Sequence, residues 1–177
     1  LKAMMNYDAL RAEQAELLKR GIRRGIGIAA FVEITNPSPA FYGVGGARIS
    51  AQDGAIIKVT PSGEVQCLIS VTEMGQGTET IMGQIVGETL GVARERVKVV
   101  TGDTELTPHG GATWACRGAG IGGETALQGA KKLKANILSV AAIILQEKPE
   151  RLDIRSGQIV DADTGNQRIA LSDVARI

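Results

Sequence analysis

Val65 to Gly91 reads Val-Gln-Cys-Leu-Ile-Ser-Val-Thr-Glu-Met-Gly-Gln-Gly-Thr-Glu-Thr-Ile-Met-Gly-Gln-Ile-Val-Gly-Glu-Thr-Leu-Gly, and its change of period decides the fold. Val65, Cys67, Ile69 and Val71 alternate with Gln66, Leu68 and Ser70, which predicts a strand. The chain then turns through Met74-Gly75-Gln76-Gly77. Beyond the turn, Ile81, Met82, Ile85, Val86 and Leu90 follow helical spacing, and Gly91 is placed to stop the helix. A strand thus enters a helix through a glycine-rich turn. Bare N–H groups at such a helix start attract anions and oxygen-rich groups.

Outward from this stretch, Asn6 is positioned to cap a first helix that carries Leu10, Leu17 and Leu18 and ends at Gly21. Arg24 to Ile34 alternates Ile26, Ile28, Ala30, Val32 and Ile34, and predicts a strand broken by Asn36-Pro-Ser-Pro39. Gly46–Ser50 and Ala55–Thr60 predict two strands joined by a turn at Gln52-Asp53-Gly54. Arg96–Thr101 predicts another strand. Thr113 to Gly123 forms a second glycine-rich turn. It opens a long helix with Leu127, Ala130, Leu133, Ile137, Ala141 and Ile144 on one stripe, ended by Lys148-Pro149. Short strands follow at Leu152–Ile154, Gln158–Val160 and Gln167–Ala170. The fold class is α+β, a mixed sheet with helices packed on it. A glycine turn leading into a helix occurs twice, so two helix mouths are available to converge on one ligand.

Composition narrows the function. A chain of 177 residues is one domain, or two lobes at roughly 1–111 and 112–177. Aromatics are 3%, too few for a base-stacking platform, and the net charge of +1 gives no field for nucleic acid or an anionic membrane. No apolar run approaches a membrane span. Cys67 and Cys116 have neither zinc nor CxxC spacing, so a reducing, cytoplasmic setting is expected. The opening Leu-Lys-Ala and the ending at Ile177 lead us to expect a piece of something longer.

Gly118-x-Gly120-x-x-Gly123 formally matches a dinucleotide fingerprint, but Pro108 to Cys116 does not supply the buried strand that this motif needs. His109, the only histidine, reads as a surface-loop residue, because no partner for a metal site or triad accompanies it. Cys67 reads as a packed thiol. Cys116 lies at a glycine-rich helix start, a setting that favours a reactive thiol, yet no general base stands near it in sequence. Gln76 is suited either to reach a ligand or to close its own turn. Glu73 and Glu79 are either solvated or capping. Gly83 and Gly87 read as a close-packing face.

Thr72-Glu-Met-Gly-Gln-Gly-Thr-Glu-Thr80, the helix ending in Leu-Gly, Val97-Lys-Val-Val-Thr-Gly-Asp-Thr104 and Thr113-Trp-Ala-Cys-Arg117 together resemble the molybdopterin-binding large subunit of the xanthine dehydrogenase/aldehyde oxidase family. The likeness is to its carbon monoxide dehydrogenase-like bacterial branch. Gly25-Ile-Gly-Ile-Ala-Ala-Phe-Val-Glu33 resembles a segment of the same subunit, and the similarity spans essentially the whole chain.

The resemblance implies a molybdenum hydroxylase that oxidises an aldehyde or N-heterocycle with water-derived oxygen. It implies a molybdenum-pterin (molybdopterin) cofactor, in bacteria often the cytosine dinucleotide, with no direct metal ligand from this chain. It further implies that Gln76 hydrogen-bonds an oxygen ligand of molybdenum and that Met74, Gly75, Gly77 and Thr78 shape the pocket. Thr113, Trp114, Ala115, Cys116, Arg117 and Gly118 would hold the pterin and its phosphate. Partners implied are the remainder of the molybdenum subunit, iron–sulfur and FAD subunits or domains, and a small-molecule substrate, in an oligomeric, multi-subunit complex. The catalytic glutamate would lie C-terminal to this stretch and the arginine-bearing substrate loop N-terminal to it, so the piece alone is expected to be inactive. The competing expectation is a non-catalytic scaffold of the same fold that has lost the cofactor.

Overall fold

The computed structural model describes residues 1–43 and 46–177. The chain forms two compact units, Leu1–Glu33 and Ile34–Ile177.

In the first unit, helix α1 (Tyr7–Lys19) buries no residue. Asn6 precedes it in a left-handed conformation (φ 48°) and makes no side-chain cap, contrary to the sequence expectation. Gly21 (φ 76°) reverses the chain, and Gln14 Nε2 donates to the Arg24 carbonyl at 2.6 Å. The strand expected over Arg24–Ile34 does not form: the segment carries no ladder, and Ile28, Phe31 and Val32 are exposed. Alternation predicts a strand only where a neighbouring backbone supplies hydrogen bonds, and no described segment does so here.

The second unit holds two three-stranded sheets. In the first, β1 (Ala55–Val59) runs antiparallel to β2 (Val65–Ile69), and β2 runs parallel to β3 (Val97–Val100), with Val65 opposite Val97. Helix α2 (Thr78–Leu90) makes the crossover that a parallel pair requires. The other sheet is antiparallel: β4 (Leu152–Arg155), β5 (Gln158–Asp161) and β6 (Gln167–Ala170). A one-turn helix, α4 (Leu171–Val174), closes the chain. The strand expected at Gly46–Ser50 is reduced to a single bridge between Tyr42 and Ala47. Gln52-Asp53-Gly54 is therefore not a hairpin turn, because Asp53 is held by groups from elsewhere in the chain.

The long helix α3 (Gly123–Leu145) is entered through a π-helical turn at Gly118–Gly122, so the GxGxxG residues continue a helix and do not form a strand-to-helix loop. It stops at Leu145, before Lys148-Pro149, because Gln146 turns left-handed (φ 54°). Its buried face carries Ala126, Ala130, Ile137 and Ala141. A Cβ at Gly122 would come within 2.8 Å of Val71, and one at Gly129 within 2.9 Å of Ile57, so small residues set the close approach of α3 to the sheet. Gly83 and Gly87 are buried against Arg94 and Val92, confirming their close-packing role. Gly91 (φ 66°) ends α2 as expected. The core joins Val65, Cys67, Ile69 and Val71 to Met82, Val86 and Leu90 and reaches Ile154 and Ile159 of the second sheet and Leu171 of α4. Burial pushes the Cys67 thiol up to about 12, so it is inert at neutral pH.

Candidate functional site

Parallel strands place their C-terminal ends, and whatever follows them, on one edge. Ser70 and Thr72 follow β2, and Thr101 and Gly102 follow β3, at that edge. A cleft of about 300 Å³ opens there, lined by Ser70, Thr72, Thr104, Thr107, His109 and Ala112 among others. His109 is exposed on its loop, as the sequence suggested.

The two glycine-rich stretches meet beside this cleft. Thr113 Oγ1 accepts from the Thr72 N–H at 2.7 Å and donates to the Thr72 carbonyl at 3.0 Å. This pair of bonds fastens the second loop to the exit of β2 and brings Met74–Thr78 and Thr113–Gly118 into one neighbourhood.

The first stretch is closed on itself. Glu73 turns its carboxylate back into the start of α2. Oε1 accepts from the N–H groups of Met74 (3.1 Å), Gly75 (2.7 Å) and Gly77 (3.0 Å), and Oε2 from Glu79 (3.1 Å). Bonds from the Glu79 and Gly77 amides hold the carboxyl below its usual range. The anion at this helix mouth is thus the chain's own side chain. Gln76 joins the closure. Its Oε1 accepts from Met74 N–H at 2.6 Å, and Nε2 donates to Thr72 O at 2.9 Å and Thr78 Oγ1 at 2.7 Å. Thr78 is buried, whereas Met74, Gly75 and Gln76 are exposed.

The second stretch is open. The N–H groups of Ala112, Thr113, Trp114, Ala115 and Cys116 donate to no acceptor among the described residues. Ala112 (φ 69°), Ala115 (φ 44°) and Cys116 (φ 52°) are left-handed without being glycine, at a cost of about 1–3 kcal/mol each. Successive amides in a stretch that mixes right- and left-handed residues are the kind of backbone that makes an anion-binding concavity. Cys116 is exposed.

Arg117 ends this loop, and its guanidinium turns inward. Nη2 donates to Asp53 Oδ2 at 2.8 Å, and both side chains are fully buried. Nη1 donates to the Ser50 carbonyl at 3.2 Å, and Cζ lies 5.6 Å from the Tyr42 ring centre and 6.0 Å from that of Trp114. Asp53 Oδ1 also accepts from Ser70 Oγ (2.9 Å) and the Gly111 N–H (3.1 Å). Trp114 Nε1 donates to the Gly111 carbonyl at 3.0 Å. Arg117 therefore points away from the loop's open donors, and Gly118 begins the π-helical turn behind them. Sequence reading missed Asp53 because Asp-Gly between apolar runs is also a turn signal. One signal was available: Arg117 is the only charged residue between Leu106 and Gly123, so its counter-charge had to come from elsewhere. Among the described residues, no group of three or more His, Cys, Asp or Glu side chains is placed to hold a metal ion, and no helix is long and apolar enough to cross a membrane.

Several known proteins are similar to this chain. The large subunit of nicotine 6-hydroxylase from Paenarthrobacter nicotinovorans is 28% identical over 99% of this chain and 21% of its own length. The carbon monoxide dehydrogenase large chain of Afipia carboxidovorans is 34% identical over 82% of this chain and 19% of its own. The crystal structure of quinoline 2-oxidoreductase from Pseudomonas putida 86 superposes with a TM-score of 0.71 at 29% identity, covering 99% of this chain and 22% of that one. This chain spans about a fifth of the length of the curated relatives it matches. The family model for the molybdopterin cofactor-binding domain matches residues 1–177. By that match, the chain belongs to the family of molybdopterin cofactor-binding domains.

Proposed function

We propose that this chain forms one wall of the cofactor pocket of a molybdenum hydroxylase, an enzyme that oxidises an aldehyde or N-heterocycle with oxygen from water. The observation that carries the reading is the pair of Thr72–Thr113 hydrogen bonds. They set the open amides of Ala112–Cys116 beside the Met74–Thr78 turn at the C-terminal edge of a parallel strand pair. The residues fit the group: a run of N–H donors without partners among the described residues, with threonine hydroxyls close by, suits a polar, phosphate-bearing pterin. When bound, the cofactor supplies the two-electron redox chemistry.

This chain's residues bind and orient. The amides of Thr113, Trp114, Ala115 and Cys116 donate to the cofactor's anionic end. Gly118 lets the helix start immediately behind them. Met74, Gly75, Gly77 and Thr78 present the opposing turn. Gln76 faces the cofactor from that turn. Both its amide protons are already engaged, so donating to the cofactor requires it to release Thr72 or Thr78, while Oε1 retains acceptor capacity. Arg117 serves from behind the loop. The cofactor form is the cytosine dinucleotide, and the partners are the rest of the molybdenum subunit with iron–sulfur and flavin components, in a cytoplasmic complex.

The test is molybdenum and released-pterin content of the chain co-expressed with its neighbouring gene products. Near-stoichiometric metal and pterin, lost when Thr113–Gly118 is disrupted, is the expected result. A folded complex without either would overturn the reading and leave a scaffold.

A further inference from the structure

We infer that Asp53 and Arg117 are positioning residues: their buried ion pair clamps both ends of the Ala112–Cys116 loop and keeps its amides free of internal partners. The inference rests on the reading that this loop takes the cofactor. The clamp is visible in the bonding. Asp53 Oδ1 holds the loop's entry at the Gly111 N–H, while Asp53 Oδ2 holds its exit through Arg117. Arg117 Nη1 fixes the same unit to the Ser50 carbonyl, and Ser70 Oγ ties Asp53 to the end of β2 while accepting from the Gly54 N–H. Between the two ends, the Trp114 indole closes the loop onto the Gly111 carbonyl and packs against Phe41 and Tyr42, at ring-centre distances of 5.7 and 5.8 Å.

Left-handed alanine and cysteine persist only where their surroundings over-determine them. Here the two ends of the loop are held by a carboxylate and a guanidinium with no exposure to water, and the Ala115 carbonyl accepts from the Asn36 N–H at 2.9 Å. The glycines before the loop follow from the same cause. A Cβ at Gly111 would overlap the Arg117 guanidinium, and one at Gly110 would strike Ser70 and Asp53. The pair needs bare backbone beside it, and the backbone needs the pair. Neither side chain reaches the cleft, so both act through the loop.

Trp114 is the only tryptophan, so its fluorescence reports on the loop without any cofactor. The decisive variant is the double substitution Asp53→Asn/Arg117→Met, which removes both buried charges together and so avoids stranding one of them. We expect the full chain to keep its far-ultraviolet circular dichroism. We expect Trp114 emission to shift red by several nanometres with greater acrylamide quenching, and cofactor content in the co-expressed complex to fall by roughly tenfold or more, as for other groups that orient a binding shell. Arg117→Lys keeps the charge but lacks the fork that spans Asp53 and Ser50, and should show the same spectral change in smaller degree. Wild-type emission and quenching in both variants would overturn the clamp, as would loss of the whole fold in both. A wild-type complex without molybdenum or pterin, alongside variants that shift Trp114, would overturn the proposed function and leave the clamp standing.

Discussion

The two glycine-rich stretches look alike in sequence and differ in kind. Thr72–Thr78 satisfies itself: Glu73 fills the mouth of α2 and Gln76 bonds back to Met74, Thr72 and Thr78. Ala112–Cys116 leaves its N–H donors without partners among the described residues and is held from behind, by Asp53 acting through Arg117 and Gly111. A helix mouth is an anion site only while its amides are free. The first mouth is a finished structural joint, and the second is the one with capacity for a ligand.

The largest effect should come from the back of the second loop. Arg117→Met alone strands the Asp53 carboxylate in the core, at a cost of about 3–5 kcal/mol, against which urea unfolding can be read directly. The double variant with Asp53→Asn should recover much of that loss. If the single variant is neutral, the second loop is not held from behind and the contrast fails.

Next comes the plug of the first loop. Glu73→Ala should lower the melting temperature by less than Arg117→Met. It should also free the amides of Gly75, Gly77 and Glu79, so that inorganic phosphate raises the melting temperature of the variant more than that of the wild type. Equal phosphate responses would mean that the carboxylate does not occupy the mouth.

Acid should reach the same plug without mutation. The Glu73 carboxyl is depressed in the folded chain, so its contribution is present above the unfolded value of about 4.3 and is lost as pH falls through the lower folded value. Unfolding followed from pH 6 downward should therefore show a loss in the wild type that is absent in Glu73→Gln. Parallel profiles would remove Glu73 from the account.

The smallest stability effect belongs to Gln76→Ala, about 1 kcal/mol for an exposed turn closure. A loss well beyond that would make the turn a larger part of the fold than its exposure indicates. Thiol labelling completes the contrast: Cys116 on the second loop should react in the folded chain, whereas Cys67 should react only on unfolding.

What was legible in the sequence was local. The period change at Val71–Ile81 placed β2, its turn and α2, because alternation and helical spacing are properties of consecutive residues. The stripe on α3, the stop at Gly91 and the three short strands after residue 150 were legible for the same reason. Arg24–Ile34 misled by the same logic: it has the alternation of a strand but pairs with no described segment of this chain, and pairing is not a local property.

The site divides the same way. Both glycine loops were found from sequence: glycine between an apolar strand and an apolar helix marks the first turn, and a glycine-rich run opening an apolar helix marks the second. Only the tertiary structure decided which loop is closed and which is open. That depends on Glu73 folding back four residues to Gly77, and on Asp53 meeting an arginine 64 residues away inside the protein. Composition and period fix where the chain bends. Whether a bend presents free donors is settled by which distant side chains are buried behind it.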